Sequence, residues 1–311
     1  MNKKMQSKEK KNIWNEIVRS RYLYLGILPF FIWLIVTQYI PMGGAILAFK
    51  DYKIRLGILG SEWVGLKHFK RILITSDAIQ SIINTLEISL GRLIFEFPVP
   101  IIVALLLTEM PGKKGKRIYQ TILTFPHFLS WVVVSNILIN FFSSDGAINQ
   151  IITMLGGEGV AFLANKKLFR PLIYATSLWK GAGWSAIIYM AAITGIDTSL
   201  YEAAQIDGAS RLRQIWHITL TGIKPTIVVM FILQVGSMMN AGFDQLFNLQ
   251  NDAVASEALI LDTYIHRITF ETLPNYGFSA AVGLFKGVIN FVLLIIANKV
   301  VGLLSGEKLF A

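Results

Sequence analysis

Long apolar runs separated by short polar connectors dominate this chain. Six of them, at about residues 23–47, 82–108, 118–142, 171–194, 225–249 and 278–304, reach the ~20 residues needed to cross a ~30 Å hydrocarbon core. Lipid offers the backbone no hydrogen-bond partners, so each run predicts an α-helix. The pattern as a whole predicts an all-α, polytopic membrane protein with six transmembrane helices. With 54% hydrophobic and 15% charged residues, the chain is too apolar for an ordinary soluble domain. No second compositional region appears, so residues 23–311 read as one membrane domain after a basic segment, 1–22.

That basic segment holds Lys3, Lys4, Lys8, Lys10, Lys11, Arg19 and Arg21. A cleavable leader would have a shorter apolar core and a small-residue cleavage site. Here the apolar run continues through Tyr39, Pro41 and Phe49 and reads as an uncleaved anchor. The lysines then set topology, in preference to binding nucleic acid. With both termini cytoplasmic, sixteen basic residues fall inside and ten outside, a positive-inside bias that is modest. The first outside loop, about 49–78, is nearly as basic as the inside.

One polar, helix-forming stretch stands between the fourth and fifth apolar runs. Residues 202–220 read EAAQIDGASRLRQIWHITL, which predicts two small helices joined by a tight turn. Ser199 followed by Glu202 fits a capping box. Ala203 and Ala204 favour helix and leave a thin surface that another protein can approach closely. Gly208 stands where a left-handed C-cap belongs, and Ser210 is placed to cap the second helix.

This run resembles the EAA loop of permease subunits of binding-protein-dependent ABC importers. Glu202, Ala203, Ala204, Asp207, Gly208, Ala209, Ile218 and Leu220 carry the match. Thr221 departs from it, standing where the family usually has proline, with Pro225 the nearest proline here. The resemblance implies a type I ABC importer permease fold with a cytoplasmic coupling loop at about 199–221. In the family that loop inserts into a cleft on the ATP-hydrolysing subunit and carries its motion into the membrane.

The stretch from Pro41 to Leu73, with AFKDY at 48–52 and WVGLKHF at 63–69, resembles the oligosaccharide and polysaccharide-fragment branch, related to the larger maltose-type permease subunit. This implies a multi-pass subunit in a bacterial cytoplasmic membrane. Its partners would be a second related permease, two ABC ATPase subunits and an extracytoplasmic sugar-binding protein. Its substrate would be an oligosaccharide and its surroundings membrane lipid, with no nucleic acid.

The chain has no G-x-x-x-x-G-K-[ST] run, so ATP and Mg are expected on the partner ATPase subunits, with no cofactor bound by this chain. His68, His127, His217 and His266 lack metal-ligand spacing, and there is no cysteine and no G-x-S-x-G elbow. Neither catalytic nor metal-binding residues are expected. Two further readings stay open. One is an ABC permease for peptides, amino acids or ions; the other is a stand-alone secondary transporter or membrane-embedded enzyme, although no internal repeat of the transporter kind is evident.

Polar residues inside spans are costly and point to an interior surface or a pathway. Arg92 and Glu96, one turn apart, predict an internally neutralised pair, and Pro98 and Pro100 predict a kink. Sugars are bound by aromatic faces against their C–H surfaces and amides against their hydroxyls. The candidates are Trp179, Lys180, Trp184 and Tyr189 in the fourth span, and Gln234, Asn240, Phe243 and Asp244 in the fifth. For each aromatic, an interfacial belt or helix packing is the alternative. Gly181, Gly183 and Gly236 suggest close helix approach. Lys180, Lys286 and Arg92 hint at an acidic oligosaccharide such as a uronate fragment.

Overall fold

The structure, a computed structural model, describes residues 20–305, with side chains to residue 303. Most of the basic segment 1–22 therefore lies outside the described residues, as does Lys308. Among the described residues, four helical stretches are long and apolar enough to cross a bilayer unaided: Arg21–Phe49, Ser76–Glu109, Trp131–Met154 and Tyr276–Leu303. Arg211–Gly222 and Lys224–Gly236 pass that test only as a pair, bent by 61°.

The fourth predicted span is the 29-residue helix Lys166–Thr194. Its buried positions (Phe169, Ile173, Thr176, Ser177, Lys180, Gly183, Ala186, Tyr189, Met190, Ile193) recur every three or four residues along its whole length. That spacing is one continuous helix face, and it makes this helix the central strut. Its N-terminal half packs into a core with Ile88, Val134 and Leu246. Its C-terminal half packs with Ala104, Leu107 and Ile223. Gly183 is what lets the strut approach the third span: a Cβ there would collide with the backbone carbonyl of Leu123. Gly236 serves the last helix similarly, since its Cβ would meet the Leu294 side chain. Gly181 has open space instead.

Two predicted spans are not continuous helices. The third, expected over 118–142, consists of Lys113–Thr124, a 3₁₀ turn Phe125–Phe128 containing Pro126, and Trp131–Phe142. Proline supplies no backbone N–H and resists an interior helical position. Ser130 then caps the outer piece by accepting from the Val133 amide. The fifth, expected over 225–249, stops at Gly236, passes through a 3₁₀ turn Met238–Asn240, and restarts as Phe243–Leu249. Gly242, at φ +82°, makes the turn that a side chain would strain. The amide of Met239, freed by the break, donates to Asn290 Oδ1 at 2.9 Å. Broken backbone at membrane depth persists where neighbouring side chains satisfy it in this way. The second span behaves as expected: Pro98 follows a one-residue interruption at Phe97.

The first span is different in kind. Arg21–Leu34 buries none of its residues, and rings such as Phe30, Phe31 and Trp33 are more than half exposed. Beyond it, Lys50–Asp51 pairs antiparallel with Glu62–Trp63, the two strands of the described residues. Lys50 folds inward, its Nζ donating to the carbonyls of Ile58 at 2.7 Å and Ser61 at 3.3 Å. One of the ten cations expected outside is thus a structural staple. Trp63 stacks on Phe49 with ring centroids 5.6 Å apart.

Candidate functional site

The loop between the central helix and the fifth span is built almost wholly from local interactions. Its first helix is Thr198–Ile206, and the cap is Asp197, not the Ser199 expected from sequence: Asp197 Oδ1 accepts from the Ser199 amide at 2.9 Å. Both residues are good caps, and the chain uses the earlier one. These bonds, from the Ser199 backbone N–H and then its hydroxyl, hold the exposed Asp197 carboxyl below its ordinary pKa. At the other end Gly208 takes φ +72°. The Gly208 amide donates to Gln205 O at 3.1 Å and the Ala209 amide to Ala204 O at 2.8 Å. This pair of bonds is the Schellman pattern, which requires the left-handed residue that glycine supplies.

The second helix, Arg211–Gln214, begins after Ser210, whose side chain makes no capping bond. Gln214 instead ties this helix back to the turn before it, donating from Nε2 to Ala209 O at 2.9 Å, and leaves the first amides of the helix without a side-chain cap. A π-helical turn Ile215–Thr219 and a last turn Leu220–Gly222 follow. The chain then bends into Lys224–Gly236, with Pro225 in its first turn. The departure at Thr221 therefore moves the proline past the bend. The Tyr201 hydroxyl and Thr219 Oγ1, 2.9 Å apart, tie the two helices together.

The eight sequence-predicted loop residues divide by exposure. Glu202, Ala203, Asp207 and Gly208 are exposed, while Ala204, Ala209, Ile218 and Leu220 are half-buried. Leu220 packs against the core at the C-terminal half of the central helix. The first helix buries nothing, and Ile206, Leu212 and Trp216 beside it are 86%, 78% and 69% exposed. The small helix pair thus leaves a cluster of apolar side chains uncovered on its open side.

Deeper in the bundle, two adjoining cavities of about 220 and 210 Å³ share Glu96 and Gln234. The first is lined by Ser177, Gly181, Ser185 and Tyr189 of the central helix; the second by Ser89, Arg92, Asn240 and Gly242. Arg92 knits three segments: Nη1 donates to Ser177 Oγ at 3.1 Å, and Nη2 donates to Gln245 Oε1. Glu96 lies 3.8 Å from Arg92, the expected pair, loosely held. Gln245 returns its amide to Ile173 O at 2.9 Å and Thr176 Oγ1 at 2.8 Å. Arg92 Nε, Glu96 Oε1 and Ser89 Oγ are buried without a hydrogen-bond partner, so hydrogen-bonding capacity is left over at the cavity walls.

Of the predicted pathway residues, Tyr189, Gln234 and Asn240 reach these cavities. Lys180 and Trp184 lie together on another side, against the break in the third span. Lys180 Nζ donates to His127 O at 2.8 Å and sits over the Trp131 ring, and Trp184 stacks on His127 with centroids 4.5 Å apart. Trp179 is half exposed, Phe243 packs with Phe247, and exposed Asp244 turns away from both cavities. The three cations thought to favour an acidic substrate are all engaged: Lys286 with Asp262 at 2.7 Å, Arg92 and Lys180 as above. Sequence reading missed Ser177, Gly181 and Ser185, although their four-residue spacing marks a small, polar stripe ending at Tyr189.

A helical membrane bundle with broken spans and an exposed helix pair between its fourth and fifth segments has the type I ABC permease fold. Residues 96–301 match the family described as binding-protein-dependent transport system inner membrane component, and the chain belongs to that family. It is 42% identical over 306 residues to the polygalacturonan/rhamnogalacturonan transport system permease protein YteP of Bacillus subtilis, covering 98% of this chain and 95% of that protein. Protein LplB of the same organism is 42% identical, covering 94% and 92%. A chain of a crystallised bacterial alginate ABC transporter, in complex with an alginate pentasaccharide-bound periplasmic protein, superposes with a TM-score of 0.86 at 34% identity, covering 95% and 99%.

Proposed function

We propose that this chain is the non-catalytic permease subunit of an ATP-driven importer for oligosaccharides released from acidic polysaccharides. The observation that carries the reading is the exposed, self-capped helix pair at 198–222, whose apolar side is open. It suits insertion into a cleft on a separate ATPase, where ATP and Mg would reside. Binding of ATP would close two ATPase copies and move this element. The bend at Ile223 would pass the motion to the broken fifth span, which lines both cavities. Substrate would come from an extracytoplasmic binding protein, and a second related permease would complete the pathway. The acidic class is supported by the polygalacturonan and alginate systems among its relatives, since the intramembrane cations here are internally engaged. Gln234, Tyr189, Ser177 and Ser185 are the residues assigned to sugar hydroxyls. The orientation proposed is a cytoplasmic-membrane protein with both termini cytoplasmic.

The test is to tag the chain, extract it mildly and identify what co-purifies, then measure ATP hydrolysis with uronate and neutral oligomers presented by the binding protein. A P-loop ATPase, a second permease and uronate-selective stimulation are expected. An active homomer without an ATPase contradicts the class; equal stimulation by neutral oligomers contradicts the acidic substrate.

A further inference from the structure

The basic character of the first outside loop runs against the charge bias of the rest of the chain, and the importer reading leaves it unexplained. In the structure three of its cations gather on one short helix, Lys67–Ile72. That helix turns His68 and Ile72 inward, with His68 Nε2 3.0 Å from the Lys50 carbonyl oxygen. Phe69 packs on Phe49 beneath it. Lys67, Lys70 and Arg71 face out and, with Val64, Leu66 and Ile74, line an open groove of about 700 Å³. Arg71 is steadied over the Phe278 ring at 4.6 Å.

Three features define what fits this groove. Among the described residues no carboxylate pairs with Lys67, Lys70 or Arg71, and the nearby Asp77 is taken by Arg267 at 2.5 Å. The cations are interleaved with apolar side chains left open: Leu66 is 58%, Leu73 64% and Ile74 80% exposed. Ile74 stands two residues before the helix of the second span begins at Ser76, so the groove adjoins the end of a helix long and apolar enough to cross a bilayer. A soluble anionic partner would neutralise the cations and leave the leucines and isoleucine in water. A lipid covers both, its phosphate on the cations and its acyl chain along Leu66 and Ile74.

We propose that this groove is a binding site for an anionic phospholipid of the leaflet that receives the 49–78 loop, anchoring that loop at the membrane surface. The site rests on the membrane fold alone and does not depend on the transported substrate.

The test is native mass spectrometry of the purified full-length chain, with its co-purifying partners, after exchange into micelles containing phosphatidylglycerol or phosphatidylcholine. Wild type is expected to retain phosphatidylglycerol in preference, and K67Q/K70Q to lose that retention by roughly fivefold per cation removed, at an unchanged melting temperature. Adding R71Q should deepen the loss, and K53Q/R55Q, outside the groove, should not reproduce it. Equal retention by K67Q/K70Q overturns the proposal, as does equal binding of phosphatidylcholine by wild type. So does a variant that keeps its lipid and instead loses stimulation by the solute-binding protein, which would make this a protein dock.

Discussion

The loop at 198–222 and the polar site around Arg92 are both functional candidates, yet they are built by opposite means. Every cap and turn of the loop comes from residues within six positions: Asp197 to Ser199, Gly208 to Gln205, Ala209 to Ala204, Gln214 to Ala209. The Arg92 site joins residues 85 and 153 positions apart, Ser177 and Gln245. A local device can keep its shape while it is carried about, which suits a part that docks and moves. A non-local one exists only while its three segments hold one arrangement, which suits a part whose rearrangement is the event. The exposures agree: the loop's first helix buries nothing, whereas Arg92 and Glu96 side chains are 16% and 20% exposed.

The sharpest way to break this contrast is Gly208→Val. A β-branched residue at φ +72° costs about 1–2 kcal/mol locally and destroys the turn that orients the two helices. Transport and transport-coupled ATP hydrolysis should fall to background, while membrane insertion and the intramembrane site remain intact. Normal uptake by this variant would remove the loop from the mechanism.

Next in size is Arg92→Met, which strands Glu96 and the Gln245 carbonyl in the bundle. Leaving one partner of a buried pair uncompensated costs about 3–5 kcal/mol, and about 2–3 is expected here, since the pair is loosely held and partly accessible. Thermal unfolding in detergent reads it, and adding Glu96→Gln should recover part of the loss. Gly183→Ala should destabilise despite a gain of about 1 kcal/mol in helix propensity, because its Cβ meets Leu123 backbone. Gly181→Ala, with open space, should show the gain alone.

Smaller still is the effect at Asp197, whose depressed pKa means that its contribution is present above the ordinary aspartate value and lost as pH falls through the depressed one. Hydrogen exchange over residues 198–206 should therefore be insensitive to this carboxyl between pH 6 and 8 (about two and four units above an ordinary aspartate). Asp197→Ala should speed exchange severalfold there, and Asp197→Asn, itself a good cap, should not.

The same contrast explains what was legible in the sequence. The loop could be read because its signals are short-range: a capping residue, a pair of alanines, and a glycine four positions after the second of them. Even the error there is local, a two-residue shift between Ser199 and Asp197. The six apolar runs were readable for their bulk composition, but that signal conceals breaks. FPHFLSW stays largely apolar through the Pro126 turn, and Asn240 and Asp244, polar residues at the break of the fifth run, read as pathway candidates and so hid the turn they flank. The cavity was hardest. Trp179, Phe243 and Asp244 have suitable chemistry but do not line either cavity, because facing is set by how segments pack. Ser177, Gly181 and Ser185 have modest chemistry and line the cavity.

The account stands or falls on the loop's partner, and the chain's lack of cysteine permits a clean measurement. A single Ala203→Cys in the purified transporter, with a short thiol-to-amine crosslinker, should form a crosslink to the ATP-hydrolysing subunit whose yield changes with ATP. Leu59→Cys, 96% exposed in the first outside loop, should give none. Absence of an ATPase crosslink from Ala203→Cys, or equal yield from both positions, would contradict the assignment of 198–222 as the coupling element.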